Sequence, residues 1–190
     1  IFPLQTVLFP GGILPLRVFE ARYMDMSTRC LREDSVFGVN LIAEGHEVGT
    51  PARPHPVGVS ARITAWDMAQ PGVLHIVVRG ERRFRILATE TGENGLLLGH
   101  VEWLAEPEDV PLPYAFSNLA TLLEAIIDDA GDAHFPPPHL MSSANWVGMR
   151  LAEVLPISLE ARHALLVEDA PLARLTVLQD YLASQGLVPR

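Results

Sequence analysis

The first half of the chain alternates short apolar segments with turn residues, a pattern typical of β-strands. The segment Phe2–Phe9 ends at the Pro-Gly-Gly turn of residues 10–12, and a second segment runs from 13 to 19. Further strands are predicted at 36–43, 57–66, 73–79, 82–89 and 96–104. The Gly-Glu pair at 80–81 and the two glycines within 92–95 separate neighbouring segments, so we expect a hairpin turn at each place.

Apolar and basic residues alternate over positions 83–86 of the segment 82–89, so they fall on two opposite faces of the predicted strand. Phe84 and Ile86 fall on one face, while Arg83 and Arg85 fall on the other. Alternation of this kind is typical of a half-solvated antiparallel sheet or a small barrel. We therefore expect the two arginines on a solvated face.

One helix is predicted among these strands, at residues 20–33. Tyr23, Met26 and Cys30 recur there at helical spacing, with charged residues between them. The strand pattern ends at a proline-rich stretch, 107–113, which has the composition of a linker.

Helical periodicity dominates the rest of the chain. Four helices are predicted there: one from Phe116 to Gly131, one from the N-cap Ser143 to Pro156, one opened by Ser158, and one between Asp169 and Gly186. Strands followed by helices indicate an α+β fold. We expect a β-rich lobe with one helix at 1–106 and an α-helical lobe at 107–190.

The chain contains no lysine, and all 14 basic residues are arginine. A Walker-A loop needs a lysine to reach the nucleotide phosphates. A Ser–Lys catalytic dyad is also excluded, because arginine stays protonated and cannot act as a general base. No G-x-S-x-G, H-E-x-x-H or C-x-x-C motif and no dinucleotide fingerprint is present either, so the sequence predicts a protein that is not an enzyme and has no catalytic residues.

The charge is strongly negative and unevenly distributed. The formal net charge is −9, with ten arginines against twelve acidic residues up to residue 106, and four against eleven after it. Nucleic-acid binding depends on a concentrated positive surface that displaces counterions. We therefore expect nucleic acid to be an improbable partner for the chain as a whole.

Several segments together resemble one protein family. They are LFPGGILPLRVFEARY at 8–23, FGVNLI at 37–42, VGVSARI at 57–63, GERRFRI at 80–86, and the helical segments at 155–166 and 169–178. In this order and over nearly the whole chain, they are similar to the N-terminal domain of the Lon protease family.

The resemblance implies a PUA-like pseudo-β-barrel followed by a C-terminal helical bundle. It also implies recognition of unfolded or partly folded proteins or peptides, without the ATPase and protease domains of a complete Lon protease. We expect a free-standing, bacterial binding module that captures apolar segments on its barrel or between its lobes. A protease encoded elsewhere is a further expected partner.

Four residues near the junction of the second strand and the first helix are candidate ligand-binding residues, namely Arg17, Phe19, Arg22 and Tyr23. The arginines offer bidentate hydrogen bonds to a peptide carboxylate. The structural alternative is an internal ion-pair network, with Glu20, that fixes the helix on the strands.

A second candidate site belongs to an RNA-binding alternative, since PUA-like domains include RNA binders. Its members are Arg79, Arg82, Arg83 and Arg85. Glu81 and Glu102 could form ion pairs with these arginines. Phe84 is the single aromatic residue among them that could stack on a base. The alternative reading is a solvated, charge-paired strand face.

No metal site or cofactor is expected. His134 and His139 flank three prolines, which hold the chain extended and keep the rings apart. A Cys30–His163 pair is disfavoured as a catalytic site, because Cys30 lies on the apolar stripe of its helix. A single cysteine, with no apolar run of the roughly 20 residues that span a bilayer, favours a cytoplasmic protein without a membrane segment.

Overall fold

The computed structural model describes residues 1–50 and 52–187 of the chain. The chain divides into two compact units, Ile1–Ala105 and Glu106–Arg190. The described part of the first unit holds seven strands and one α-helix, and that of the second holds four α-helices. The α+β class predicted from the hydrophobic pattern is therefore confirmed.

The strands of the first unit form one mixed sheet. They are β1 (Phe2–Leu4), β2 (Ile13–Val18), β3 (Phe37–Glu44), β4 (Arg53–Pro54), β5 (Val57–Gln70), β6 (Val73–Thr91) and β7 (Leu97–Trp103). The order is β1-β3-β5-β6-β2, with β4 paired to β3 and β7 to β6. The β1–β3 pairing is parallel and the others are antiparallel. Within the described residues no pairing joins β1 to β2, so the sheet is open there.

Strand β6 runs without interruption through residues 80–81, so the hairpin predicted there is wrong. Gly80 pairs with Ala61 of β5 inside the ladder. Its amide donates to the carbonyl of Gly12 at 2.9 Å, and its own carbonyl accepts from the amide of Gly11 at 2.7 Å. The glycine is needed because another part of the backbone approaches it, and not because the chain turns.

The hairpin predicted within 92–95 is confirmed. β6 ends at Thr91, and β7 begins at Leu97. Gly95 has a φ of 79°, in the left-handed region that glycine adopts without strain. The amide of Gly95 donates to the carbonyl of Gly92 at 2.8 Å, which closes the turn.

Helix α1 (Ala21–Glu33) has its N-cap at Glu20, as the periodicity predicts. Tyr23, Met26 and Cys30 are all buried on its inner face. They pack in a core built mainly from inward-facing apolar residues of β3, β5 and β6. This packing fixes the helix beside the sheet and leaves the opposite face of β2 and β6 to solvent.

The second unit contains α2 (Ser117–Ala130), α3 (Ala144–Val154), α4 (Leu159–Val167) and α5 (Pro171–Ser184), after a short 3-10 helix at Tyr114–Phe116. The predicted N-caps are confirmed: Ser143 Oγ accepts from the amide of Trp146 at 3.0 Å, and Ser158 Oγ from that of Ala161 at 3.1 Å. Helix α3 contacts α2, α4 and α5. Of the helices described, none is long and apolar enough to cross a membrane.

A buried arginine joins three parts of the second unit. Arg174 on α5 is fully buried, and its Nε donates to the carbonyl of Leu165 on α4 at 2.9 Å. Its Nη1 donates to Asn145 Oδ1 on α3 at 2.8 Å, and its Nη2 donates to the carbonyl of Glu168. Hydrogen bonds from a buried cation satisfy carbonyls at a helix end that water does not reach.

Candidate functional site

The outer face of β2, β6 and β5 carries three rows of neighbouring side chains. In the middle row Pro15 lies opposite Val77, and Val77 lies opposite Ala65. Because alternate residues of a strand share a face, the rows on either side belong to the same face. On one side Arg17 lies opposite His75, which lies opposite Asp67. On the other, Ile13 and Arg62 lie opposite Arg79.

A groove of about 570 Å³ lies along these three strands. Its lining residues are Pro15, Leu16, Arg17, Ala65, Trp66, Asp67, His75, Ile76 and Val77. Trp66 is 61% exposed, and Phe19, which follows β2, is 55% exposed. Large apolar side chains left in water around a concave surface are the usual mark of a binding site.

Three of the four basic side chains in these rows are not used in pairing with the described residues. The side chains of Arg17, His75 and Arg79 make no hydrogen bond or ion pair with any residue that the structure describes, and all three residues are exposed. In contrast, Arg62 bonds to both Glu81 and Asp34. The face therefore combines an apolar middle row with charged groups that remain available to a ligand.

Two of the predicted site residues, Arg22 and Tyr23, are buried in the first unit. Arg22 Nη2 donates to Glu20 Oε2 at 2.8 Å, and its Nη1 donates to the carbonyl of Gly95 at 3.2 Å. The predicted ion pair between Glu20 and Arg22 is thus confirmed, and it also ties α1 to the β6–β7 turn. Arg17 is not part of this pairing.

Tyr23 belongs to the same buried cluster. Its ring stacks on Phe2, with centroids 3.9 Å apart, and the Arg22 guanidinium lies 4.7 Å from its centroid. Burial raises the pKa of Tyr23 above its ordinary value of 10.0, opposed by the Arg22 charge and reinforced by the Glu20 and Glu47 charges. A ligand would reach Arg17 and Phe19 on the surface, and would reach Arg22 and Tyr23 only after rearrangement.

The arginines of the RNA-binding alternative lie in different environments. Arg79, Arg82 and Arg85 are exposed, but Arg83 is fully buried. The Nη2 of Arg83 donates to the carbonyl of Ala105 at 3.0 Å, and the amide of Leu104 donates to the carbonyl of Arg83 at 3.0 Å. The chain leaving β7 therefore covers the position, and the prediction of a solvated face for Arg83 is wrong.

The remaining arginines of that strand have different neighbours. The Arg82 guanidinium lies 4.8 Å from the centroid of the Trp103 ring, a cation–π contact. Arg85 lies opposite Glu102 in the β6–β7 ladder, as the predicted pairing would require. Glu81, however, bonds to Arg62 of β5 rather than to an arginine of its own strand.

A second groove, of about 280 Å³, lies beside α1. It is lined partly by Met26, Cys30, Phe37 and Phe84, all of which belong to the buried core. The side chain of Ile1 also lines it. This groove has about half the volume of the first, and Trp103, which is 45% exposed, also lines it.

Among the described residues, no group of three or more His, Cys, Asp or Glu side chains is arranged to hold a metal ion. The nitrogen Nε2 of His139 lies 2.7 Å from the carbonyl oxygen of Phe135, so that ring is held by the local backbone. Cys30 is a buried free cysteine.

The sequence analysis named Arg17, Phe19 and Arg79, which are exposed in the structure, but it did not name Trp66, His75 or Val77. The three missed residues become neighbours of Arg17 only through the registers of β2 with β6 and of β6 with β5. One signal was available in the sequence: Trp66 is a large aromatic in a segment that also carries Asp67 and Gln70, typical of an exposed strand end.

Comparison with known proteins gives one consistent family. The chain is similar to a Lon N-terminal domain protein from Xanthomonas campestris of known crystal structure, at 40% identity, a TM-score of 0.79 and 95% coverage of each chain. It shares the fold of the N-terminal domain of the Mycobacterium avium complex Lon protease, at 19% identity and a TM-score of 0.64. That match covers 95% of this chain and 96% of the other.

Two curated Lon proteases match about half of the chain. The identity is 29% over 104 residues with that of Methylocella silvestris and 29% over 107 residues with Lon protease 1 of Hydrogenovibrio crunogenus, or 54% and 56% of this chain. The matches span 13% of each of those proteins. The family model of the ATP-dependent protease La (LON) substrate-binding domain matches residues 1–184. The chain therefore belongs to the family of the Lon protease substrate-binding domain.

Proposed function

We propose that the chain is a non-enzymatic module that binds apolar segments of unfolded or partly folded proteins. The observation that carries the proposal is the groove along β2, β5 and β6, which the exposed Trp66 lines, with Phe19 exposed just after β2. Membership of a substrate-binding family supports this role. The absence of lysine from the printed sequence supports a role without ATPase or Ser–Lys protease chemistry.

The physical size of the site favours weak binding of many different segments. Burying one leucine or aromatic side chain contributes about 1.5–3 kcal/mol. Association also costs several kcal/mol in lost freedom, so one or two apolar anchors give weak affinity. An open groove with an apolar floor selects apolar character rather than one sequence, which suits the capture of unfolded chains.

The finer architecture and the cellular setting belong to the same proposal. We infer that the open sheet curves into a PUA-like pseudo-barrel at 1–106 and that the helices of 107–190 pack as a bundle. Similarity to bacterial Lon proteins supports a bacterial, cytoplasmic role. Delivery of captured chains to a protease encoded elsewhere would use the same groove.

The proposal is tested with a permanently unfolded protein, such as reduced and alkylated lactalbumin, labelled and titrated by fluorescence anisotropy. We expect Trp66→Ser to weaken binding about tenfold, equivalent to about 1.4 kcal/mol. Leu87→Ser is the matched control, because Leu87 is an equally exposed apolar residue, 66% exposed, on β6 but outside the groove. Equal loss in both variants, or no binding by the wild-type protein, would contradict the proposal.

The RNA-binding alternative rests on three exposed arginines instead of four, because Arg83 is buried. Its test is the affinity for a single-stranded RNA at several salt concentrations. A steep loss of affinity with salt, removed by changing Arg79, Arg82 and Arg85 to Gln, would favour it. We expect no such binding, since one of these arginines stacks on Trp103 and another faces Glu102.

A further inference from the structure

The outer face of β2, β5 and β6 combines an apolar middle row with Arg17 and Arg79, whose side chains pair with no residue that the structure describes. Arg17 lies in the row of His75, and Arg79 lies four residues along β6 from that row. At about 3.4 Å per residue, the two rows are about 14 Å apart. The row of Val77 lies midway between them, and it is apolar on all three strands.

An extended peptide laid along β6 presents every second side chain to this face, at intervals of about 6.8 Å. Its residues i, i+2 and i+4 would therefore coincide with the three rows. A residue at i+2 would meet Pro15, Val77 and Ala65, while residues at i and i+4 would meet Arg17 and Arg79. We propose that the face prefers extended segments of the pattern acidic–x–apolar–x–acidic. This inference rests on the peptide-binding function proposed above.

The local charges favour this pattern over its basic counterpart. Asp67 is the one acidic group in the first row, and it lies on β5, two strand spacings or about 10 Å from Arg17 on β2. In the third row Arg62 is already neutralised by Glu81 and Asp34, which leaves Arg79 as the available cation. The acidic residues of a bound segment would therefore lie toward β2 and toward Arg79.

The net charge of −9 opposes an acidic ligand only at long range. At physiological ionic strength, charges separated by more than about 8 Å are largely screened. Contacts with Arg17 and Arg79 act within that distance, so the local pair decides the preference. The global charge would slow the encounter at low salt without changing which segment fits.

The test uses four labelled decapeptides with the same central leucine, measured by anisotropy. One carries Asp at i and i+4, one Gln, one Lys, and one carries the same two Asp residues at i+1 and i+3, where they point away from the face. We expect the first to bind most tightly, by about two- to fivefold per arginine contact. The preference should fall in Arg17→Gln and in Arg79→Gln, but not in Arg85→Gln, an exposed arginine of β6 outside the face.

Each other outcome is decisive. Equal affinity for all four peptides would overturn the acidic preference and leave the apolar groove in place. Absence of binding to any peptide would overturn the proposed function as well. An equal effect of Arg85→Gln would indicate non-specific charge attraction and overturn the assignment. Tighter binding of a single-stranded RNA, lost in both Arg79→Gln and Arg85→Gln, would overturn it in favour of nucleic acid.

Discussion

The carbonyl oxygen of Phe9 lies so close to Gly80 that a β-carbon on the glycine would be 2.2 Å from it. This contact joins the turn at 10–12 to the middle of β6, where Gly11 and Gly12 also exchange hydrogen bonds with Gly80. Because β2 begins at Ile13, directly after that turn, the contact sets the register of β2 on β6. The groove residues Arg17 and His75 are opposite each other as a result.

We expect Gly80→Ala to destabilise the protein by about 1–3 kcal/mol, because the added methyl group must displace backbone rather than a flexible side chain. The free energy of unfolding measured by urea denaturation checks this. Gly92→Ala is the matched control, since its β-carbon would meet neighbouring atoms at 3.5 Å, an ordinary contact distance. Similar stability of the two variants would show that the turn can shift away from β6 at little cost.

Replacing Arg174 tests the buried connection of the second unit. We expect Arg174→Met to lower the free energy of unfolding by about 3–5 kcal/mol, because the carbonyls of Leu165 and Glu168 and the amide oxygen of Asn145 lose a charged donor. Chemical denaturation followed by circular dichroism measures the loss. Arg32→Met is the control, since Arg32 is exposed and its one ion pair among the described residues is with Glu33, so the change should alter stability by less than about 1 kcal/mol. A loss that small at Arg174 would contradict its structural role.

The raised pKa of Tyr23 predicts that the stability of the protein falls at alkaline pH. Burial raises its pKa in the folded state above 10.0, so the folded protein keeps this proton when the unfolded chain releases it. The stabilisation is complete below about pH 10 and declines as the pH rises toward the folded pKa. With no lysine in the sequence, few other groups titrate in this range.

Urea denaturation between pH 8 and 11 measures the effect. Tyr23→Phe, which keeps a ring to stack on Phe2, should reduce the decline of stability above pH 10. Tyr114→Phe should leave it unchanged, because Tyr114 is 92% exposed. An identical decline in the wild type and in Tyr23→Phe would show that Tyr23 does not control it.

Features of the fold that depend on local sequence were predictable. The N-caps Ser143 and Ser158, the start of α1 after Glu20, and the glycine turn within 92–95 each depend on residues a few positions apart. Such signals act through the backbone of their own segment, so a single sequence contains them.

Features that depend on distant parts of the chain were not predictable in the same way. The Gly-Glu pair at 80–81 is typical of a turn. The structure requires glycine at position 80 because the backbone of Phe9, about seventy positions earlier in the sequence, lies against it. The alternation of the strand assigns Arg83 to the solvated face, but the chain at Ala105 covers it. The register of Arg17 with His75 depends likewise on non-local strand pairing, so the groove was visible only once the sheet was known.

The central claim is that the groove along β2, β5 and β6 binds apolar segments of protein chains. An amide chemical-shift titration of the labelled protein with a leucine-centred peptide tests it most directly. We expect the largest shifts at Arg17, Trp66, His75 and Val77, with little change at Leu87 on the far part of β6. Shifts that cluster elsewhere, such as around the groove beside α1, or no saturable shifts at all, would contradict the claim.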